Sequence, residues 1–270
     1  MSDCPPEYAT IVNNQLCDYP NKTLSGAGIV WKFIKYLDSI LNVDYADYYL
    51  DLAMTGIVGD VMKLNEYETR YIVKEGLSHI NNPFLSAMIE RQAYSLKNEV
   101  TPDGIAFYVV PYINAVVRMG TLDEKFTVFE SMLDVMGHKK ILSNKRGHKE
   151  NELETLADRA VRLSNTVKSR QQKLRDAEVK KLEAIIERDN MLNDKVLVFC
   201  LKDDERVDKN LSGLIANVIM GKFNKPVLIL NYYKDRDEYS GSGRAPSNCG
   251  FDNFKDFLNE SGLVIFAAGH

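Results

Sequence analysis

Residues 151–192 run without a proline or a glycine and are dominated by Glu, Lys, Arg, Leu and Ala. Nothing there breaks a helix and most of it favours one, so the stretch predicts a single long amphipathic helix. Its apolar residues, Leu163, Val167, Leu174, Val179, Leu182 and Ile186, form only a thin stripe. Such a stripe suits a connector bridging two domains better than a helix buried in a core. A folded body is therefore expected on either side.

On the far side the period switches. Residues 195–201 read as a strand, 213–223 as a helix and 225–232 as a second strand, with a further apolar segment at 262–267. Strand, helix and strand at these lengths predict a right-handed crossover in an α/β domain. On the near side, residues 8–12 make a short β-like run, 29–37 and 44–64 read as helices, and 66–98 as helices broken near Pro83. Residues 105–112, dense in β-branched and aromatic side chains behind a Pro-Asp-Gly turn, predict a buried strand or loop. The fold class read from this is α/β in two lobes: residues 1–135, a basic linker and long helix over 136–194, and an α/β domain over 195–270.

With 270 residues, 45% of them hydrophobic and 27% charged, the chain can bury two small cores. A net charge of −4 argues against a surface that grips nucleic acid everywhere, though it allows a local basic groove. The basic stretch 137–152, with Lys139, Lys140, Lys145, Arg146 and Lys149, is the candidate exposed loop that could touch a nucleic-acid backbone. Cys4, Cys17, Cys200 and Cys249 lack Cys-x-x-Cys spacing, which disfavours a zinc ribbon and leaves reduced thiols as the default. No apolar run approaches a membrane span, and the N-terminus lacks a basic region followed by an apolar stretch. The reading is a cytoplasmic protein with no membrane partner.

Chemistry-bearing residues are few and scattered. Asp60 ends a small-residue segment, 51–60, in which Thr55, Gly56 and Gly59 allow another backbone to pack closely and Gly59 lets the chain turn. An ionised carboxylate against such a segment needs a partner or a metal; the bland alternative is that Asp60 merely opens a turn. Asp51, on the opposite side of a helix nine residues earlier, reads as an N-terminal cap. Ser25 and Gly26 feed a helix N-terminus whose free N–H groups suit an anion, although Ser25 alone reads as a cap. Asn114 and Arg118 share a helical face if a helix starts there, and Arg suits a phosphate through its planar fork. Tyr45, Tyr48 and Tyr49 can stack on bases but at this spacing read more simply as packing. His79, with no acid or second His at ligand spacing, reads as a surface residue. Ser242 and Arg244 lie in a Gly/Ser-rich segment, 240–244, that reads as a turn suited to clasp a phosphate.

Six short segments, taken together, resemble the RecJ-like branch of the DHH phosphoesterase family. Residues 9–13 (ATIVN) with 24–28 (LSGAG) resemble its "AIVNP…LSGAGV" segment, and 51–64 (DLAMTGIVGDVMKL) its metal-binding "ALGTxADVxPL". Residues 111–120 (PYINAVVRMG) resemble "PRINAAGRMG", with Val117 in place of the family's Gly before Arg118. Residues 213–216 with 225–229 resemble the opening of the DHHA1 domain, and 241–244 and 267–270 its substrate motifs. They occur in the family's order from near the first residue to the last.

The resemblance implies that residues 1–135 are the later part of a DHH domain and 195–270 a DHHA1 domain cut inside its final Gly-His motif. It implies single-stranded DNA as partner, 5′-exonucleolytic phosphodiester hydrolysis, and Mn²⁺ or Mg²⁺ as cofactor. Asp60 would hold metal. Ser242, Arg244 and His270 would hold the phosphate. Ser25, Gly26, Asn114, Arg118, Arg170 and Gln171 would guide the strand. The upstream Asp motifs and the Asp-His-His triplet are absent, so the chain is expected to be inactive alone, trimmed or complemented by a separate polypeptide carrying them. Two other functions stay open: a DHH/DHHA1 phosphodiesterase for oligonucleotides or cyclic dinucleotides, and a noncatalytic nucleic-acid-binding or interaction module.

Overall fold

The structure, a computed structural model, describes residues 10–16, 18–251 and 253–269. The chain divides into two compact units, Met1–Lys168 and Ser169–His270.

The first unit is mainly helical. α1 (Gly26–Leu41) starts at Ser25, whose hydroxyl accepts the Gly28 N–H, and ends at Asn42 in the left-handed region. A 3₁₀ turn (Ala46–Tyr49) leads into α2 (Leu50–Gly59), then come α3 (Tyr67–Ser78), α4 (Pro83–Arg91) and the short α5 (Ala93–Leu96). Asn82 caps α4 with Pro83 at its first position, a pairing that pre-sets φ and satisfies an orphan N–H. α6 (Pro102–Tyr108), α7 (Val110–Met119) and α8 (Leu122–Leu133) follow.

α2 is the centre of this unit. Leu50, Ala53, Met54, Ile57 and Val58 are all buried, and helices close on them because small residues stand at the contacts. A Cβ on Gly56 would overlap that of Ala27 in α1, and one on Gly76 of α3 would come within 2.5 Å of Met54 Cβ. The close packing read from Gly56 in the sequence is thus present, worth about 1.5–3 kcal/mol per large apolar side chain buried.

The expected strand or loop at 105–112 is helical instead. Thr101 caps α6 by accepting the Gly104 N–H, Pro102 occupies the first turn, and Ile105, Val109 and Val110 enter the core at helical spacing. Burial on one helical side outweighs the weak β preference of those residues. Of the β-like run at 8–12, Thr10, Ile11 and Val12 form no strand, and the first two positions lie outside the described residues.

The basic stretch read as a linker contains a hairpin. β1 (Lys140–Leu142) pairs antiparallel with β2 (Leu153–Thr155), and the long helix α9 (Leu156–Arg188) begins directly after it. The helix therefore starts later than the expected residue 151, because 153–155 find ladder partners first. Thr155 takes over the cap, its hydroxyl accepting the Asp158 N–H at 3.0 Å. The division between the units falls within α9. Val167, Val179, Leu182 and Ile186 of the thin stripe are buried and Leu174 is exposed, while Ala160, Val161 and Ile185 are buried outside the stripe.

The second unit adds β3 (Leu197–Leu201), α10 (Ser212–Phe223), β4 (Val227–Tyr233), β5 (Glu238–Arg244) and α11 (Phe254–Glu260). β3 and β4 are parallel, the crossover expected from the sequence, with α10 between them, and β5 adds antiparallel in the order β3-β4-β5. Parallel pairing among the described residues is confined to this unit.

Candidate functional site

Asp60 caps the end of α2, and its geometry depends on the residue after it. Asp60 N–H donates to Gly56 O at 3.0 Å, Val61 N–H to Val58 O at 3.1 Å and Met62 N–H to Ile57 O at 3.1 Å. That six-to-one bond closes a Schellman motif, which needs a left-handed residue usually supplied by glycine. Here it is Val61, at φ 53°, a β-branched side chain in a conformation that costs about 1–2 kcal/mol. The turn read at Gly59 is therefore made by Val61. Gly59 serves packing instead, since a Cβ there would meet Val110 Cγ1 of α7 at 3.2 Å.

The result is a corner where three helices converge. Gly56 brings the N-terminus of α1 against α2, with Ser25 Oγ 3.5 Å from where a Gly56 Cβ would stand, and Gly59 brings the start of α7 to the same end. Asp60 is exposed there. Ser25 is 3% exposed and its hydroxyl accepts the Gly28 N–H, the capping role read for it. Gly26, exposed with open space over its Cα, is the part of that pair which a ligand can approach. Asn114 and Arg118 lie one and two turns beyond Val110 on α7, both exposed, on the one helical face their spacing implied.

Asp51 does more than the capping read for it. It is fully buried; Oδ1 accepts its neighbour Leu52 N–H at 2.8 Å, while Oδ2 accepts from Asn81 N–H at 2.9 Å and Asn82 N–H at 2.7 Å. It thus holds the break before α4 as well as its own helix start. Burial pushes the carboxyl above its ordinary range, opposed by those amides. Asp38 does the same for the approach to α2, accepting from Tyr45 and Ala46 N–H. His79 is exposed, as read, its ring beside Glu75.

In the second unit, Ser242 and Arg244 lie on β5, so the expected Gly/Ser turn is an extended strand. Glycine is needed there because a Cβ on Gly241 would overlap Ile229 O of β4. Ser242 Oγ is 2.8 Å from Ser212 Oγ, the first residue of α10, and the Arg244 guanidinium lies 2.9 Å from where a Gly213 Cβ would stand. Two hydroxyls and a guanidinium are thus gathered at a helix N-terminus, where N–H groups and the helix dipole favour an anion. Arg170 and Gln171 lie on α9, and Gln171 is buried, 3% exposed. His270 lies outside the described residues.

The basic stretch holds a network that its composition concealed. Glu154 of β2, with no exposed side-chain surface, is bonded to Arg159, to Arg162 Nη2 at 2.7 Å and to Lys145 at 3.6 Å. Burial alone would raise its carboxyl; Arg162, Arg159 and the Asn144 N–H outweigh that and hold it at about 2. Lys139 pairs with Glu130 at 3.1 Å. These cations anchor a hairpin, a role legible only in the i, i+5 and i, i+8 spacing of Glu154 to the two arginines.

Among the described residues no group of three His, Cys, Asp or Glu side chains could hold a metal ion. Asp60 supplies one carboxylate at a helix C-terminus, a favourable place for a cation, but Mg²⁺ and its analogues need several oxygen ligands. Among the described residues nothing completes such a site. Cys200 and Cys249 are free thiols, and Cys4 and Cys17 lie outside the described residues. No helix among the described residues is long and apolar enough to cross a membrane.

The fold matches part of RecJ. A RecJ from Thermus thermophilus in complex with Mn²⁺ superposes over 79% of this chain and 28% of its own, at TM-score 0.58 and 23% identity. A manganese-bound exonuclease RecJ matches 82% of this chain and 49% of its own, at TM-score 0.60 and 23% identity. The nearer kinship is in sequence: the chain is 34% identical over 267 residues, 98% of its length, to YorK of Bacillus subtilis strain 168, which is named as a putative SPbeta prophage-derived single-strand DNA-specific exonuclease. The same match holds to the yorK product of Bacillus phage SPbeta. Each alignment spans 46% of the relative, so the chain covers about half the length of the curated proteins it matches. No family model matches the sequence. The chain is thus similar to part of RecJ in fold and to about half of YorK in sequence.

Proposed function

We propose that this chain is the strand-binding part of a RecJ-type exonuclease, in which a complete protein hydrolyses phosphodiester bonds of single-stranded DNA from a 5′ end with Mn²⁺ or Mg²⁺. The observation that carries the reading is the 34% identity over 98% of the chain to proteins named as single-strand DNA-specific exonucleases. Residues 1–135 are read as the later part of a DHH domain, 136–194 as hairpin and connecting helix, and 195–270 as a DHHA1 domain.

Within this reading Asp60 would contribute one metal ligand, and metal bound there in a complete protein would supply an activated water and charge neutralisation. The chain's own residues position the strand. Arg118 and Asn114 on α7 meet the backbone through charge-assisted and neutral hydrogen bonds. Ser212, Ser242 and Arg244 at the α10 N-terminus hold a phosphate, with a bidentate guanidinium and N–H groups that need no reorganisation. With one carboxylate available, the chain alone binds single strands without cleaving them.

The test is fluorescence anisotropy with a 5′-phosphorylated single-stranded oligonucleotide, alongside a Mn²⁺ cleavage assay on 5′-labelled strand. Expected are salt-sensitive binding, no cleavage, and roughly tenfold weaker binding in Arg244→Ala and in Arg118→Ala. Cleavage by clean protein, or tighter binding of dinucleotides than of long strands, would overturn it. The dinucleotide outcome would favour a phosphodiesterase for short or cyclic nucleotides, and strand binding that persists with no cleavage after complementation would favour a noncatalytic module.

A further inference from the structure

α8 is anchored on one side and apolar on the other. Val128 and Ser131 face the core, and Asn82 Nδ2 donates to Met132 O at 2.7 Å. On the outer side Leu122, Phe126, Phe129 and Leu133 are each between 55% and 68% exposed. At about 100° per residue these four fall within an arc of about 60°. Their spacing of four, three and four is the d-a-d-a order of a heptad, the pattern by which one helix seats its side chains between those of another. Beside the stripe an apolar groove of about 290 Å³ opens, lined on its α7 side by Ile113, Val116 and Val117. An uncharged stripe and groove of this kind on a surface mark an interface.

The charges flanking the stripe say what covers it. Lys125 lies about 70° to one side, and Glu130 about 70° to the other with Asp123 on the same flank. In the heptad Lys125 stands at g, just before Phe126, and Glu130 at e, just after Phe129. Lys125 is the one charged side chain among the described residues lining the groove, and no described residue binds its ammonium. Glu130 is 53% exposed, and Lys139 engages only its Oε2, at 3.1 Å. In a parallel helix pair a g residue meets the e residue five positions further along the partner, and Lys125 and Glu130 are five apart. A second α8 running parallel therefore brings an acidic flank to each basic one, twice over by symmetry. The same copy run antiparallel would set lysine against lysine and acid against acid. α8 is short for an isolated coiled coil, but its capping box and its packing already hold it helical, so pairing has no helix to nucleate.

We propose that the outer face of α8 is the contact between two copies of this chain, paired parallel about a two-fold axis. Phe126 and Phe129 of each copy pack on the other and supply the affinity, while two ion pairs between Lys125 and Glu130 select the orientation. Such pairing requires nothing of the nuclease reading above.

The test is sedimentation velocity of the whole chain over a concentration series, in which a reversible dimer is expected. Phe126→Asp and Phe129→Asp should each raise its dissociation constant at least tenfold, whereas Tyr94→Asp on α5, a position 96% exposed, should leave it unchanged. Lys125→Glu and Glu130→Lys should each weaken the dimer roughly fivefold, and the two together should restore it. Leu133→Cys should give a disulfide-linked dimer on mild oxidation, in excess of any formed through the four native cysteines, because only parallel pairing sets position 133 beside its own counterpart. Every variant should keep the buried Trp31 fluorescence of the parent chain. A monomer at all concentrations up to about 1 mM, a dimer indifferent to both aspartates, a double charge swap no tighter than its singles, or a dimer that Leu133→Cys does not link would each overturn the proposal.

Discussion

Glu154→Gln removes one charge from the centre of the hairpin network while preserving its shape, and the effect follows from the position of that carboxyl. A carboxyl held at about 2 in place of its ordinary 4.5 contributes at most about 3 kcal/mol, at ~1.4 kcal/mol per tenfold change. Lys145 and Arg162 are 42% and 36% exposed, so solvent screening reduces the expected loss to about 2 kcal/mol at neutral pH. The sign follows from the depressed value. The contribution is present in full above pH 4.5, declines as pH falls from 4.5 to about 2, and is absent below. Trp31, the single tryptophan, is 8% exposed within the first unit, so urea unfolding followed by its fluorescence reports that unit alone. The parent and Glu154→Gln should differ by about 2 kcal/mol at pH 7 and converge near pH 2. A difference that is the same at both pH values, or a variant as stable as the parent at pH 7, would show that the network holds nothing together.

The remaining expectations use the same assay or its counterpart in the second unit. Val61→Gly should stabilise the first unit by about 1 kcal/mol by relieving the left-handed valine, and a lower urea midpoint would refute the assignment of strain. Asp51→Ala should destabilise it by about 3 kcal/mol, because it leaves Leu52, Asn81 and Asn82 N–H groups without their acceptor. A loss below about 1 kcal/mol would place those amides in water. Gly241→Ala should separate β5 from β4 and displace Ser242 and Arg244; far-ultraviolet circular dichroism and oligonucleotide anisotropy should both fall, and unchanged binding would refute the phosphate-holding role proposed for those two residues.

The long helix, the crossover in 197–233 and the tight approach at Gly56 were legible because each depends on residues close in sequence or on a strong period. The helices at 102–119 were not, since their β-branched residues point one way locally and the core they fill is supplied by α2, far away in the chain. The hairpin at 140–155 was concealed for the same reason: Glu154 neutralises a basic stretch only once β1 and β2 pair. Among the candidate site residues, Asp60, Gly26, Asn114 and Arg118 are accessible as read, whereas Ser25 and Gln171 are buried, a property that residue type does not encode.

Sequence alone determined what kinds of group this protein owns: a carboxylate closing a small-residue segment, an Arg four residues from an Asn, and a Ser and an Arg in a glycine-rich run, all in an order that matches RecJ. Tertiary structure decided which of them stand together. Close contacts at Gly56 and Gly59 bring three helix ends to Asp60, and a glycine strand pressed onto β4 carries Ser242 and Arg244 to the start of α10. It also left one side of α8 apolar and open. Spacing along the chain sets which face of an element a residue occupies, but only packing sets what that face meets.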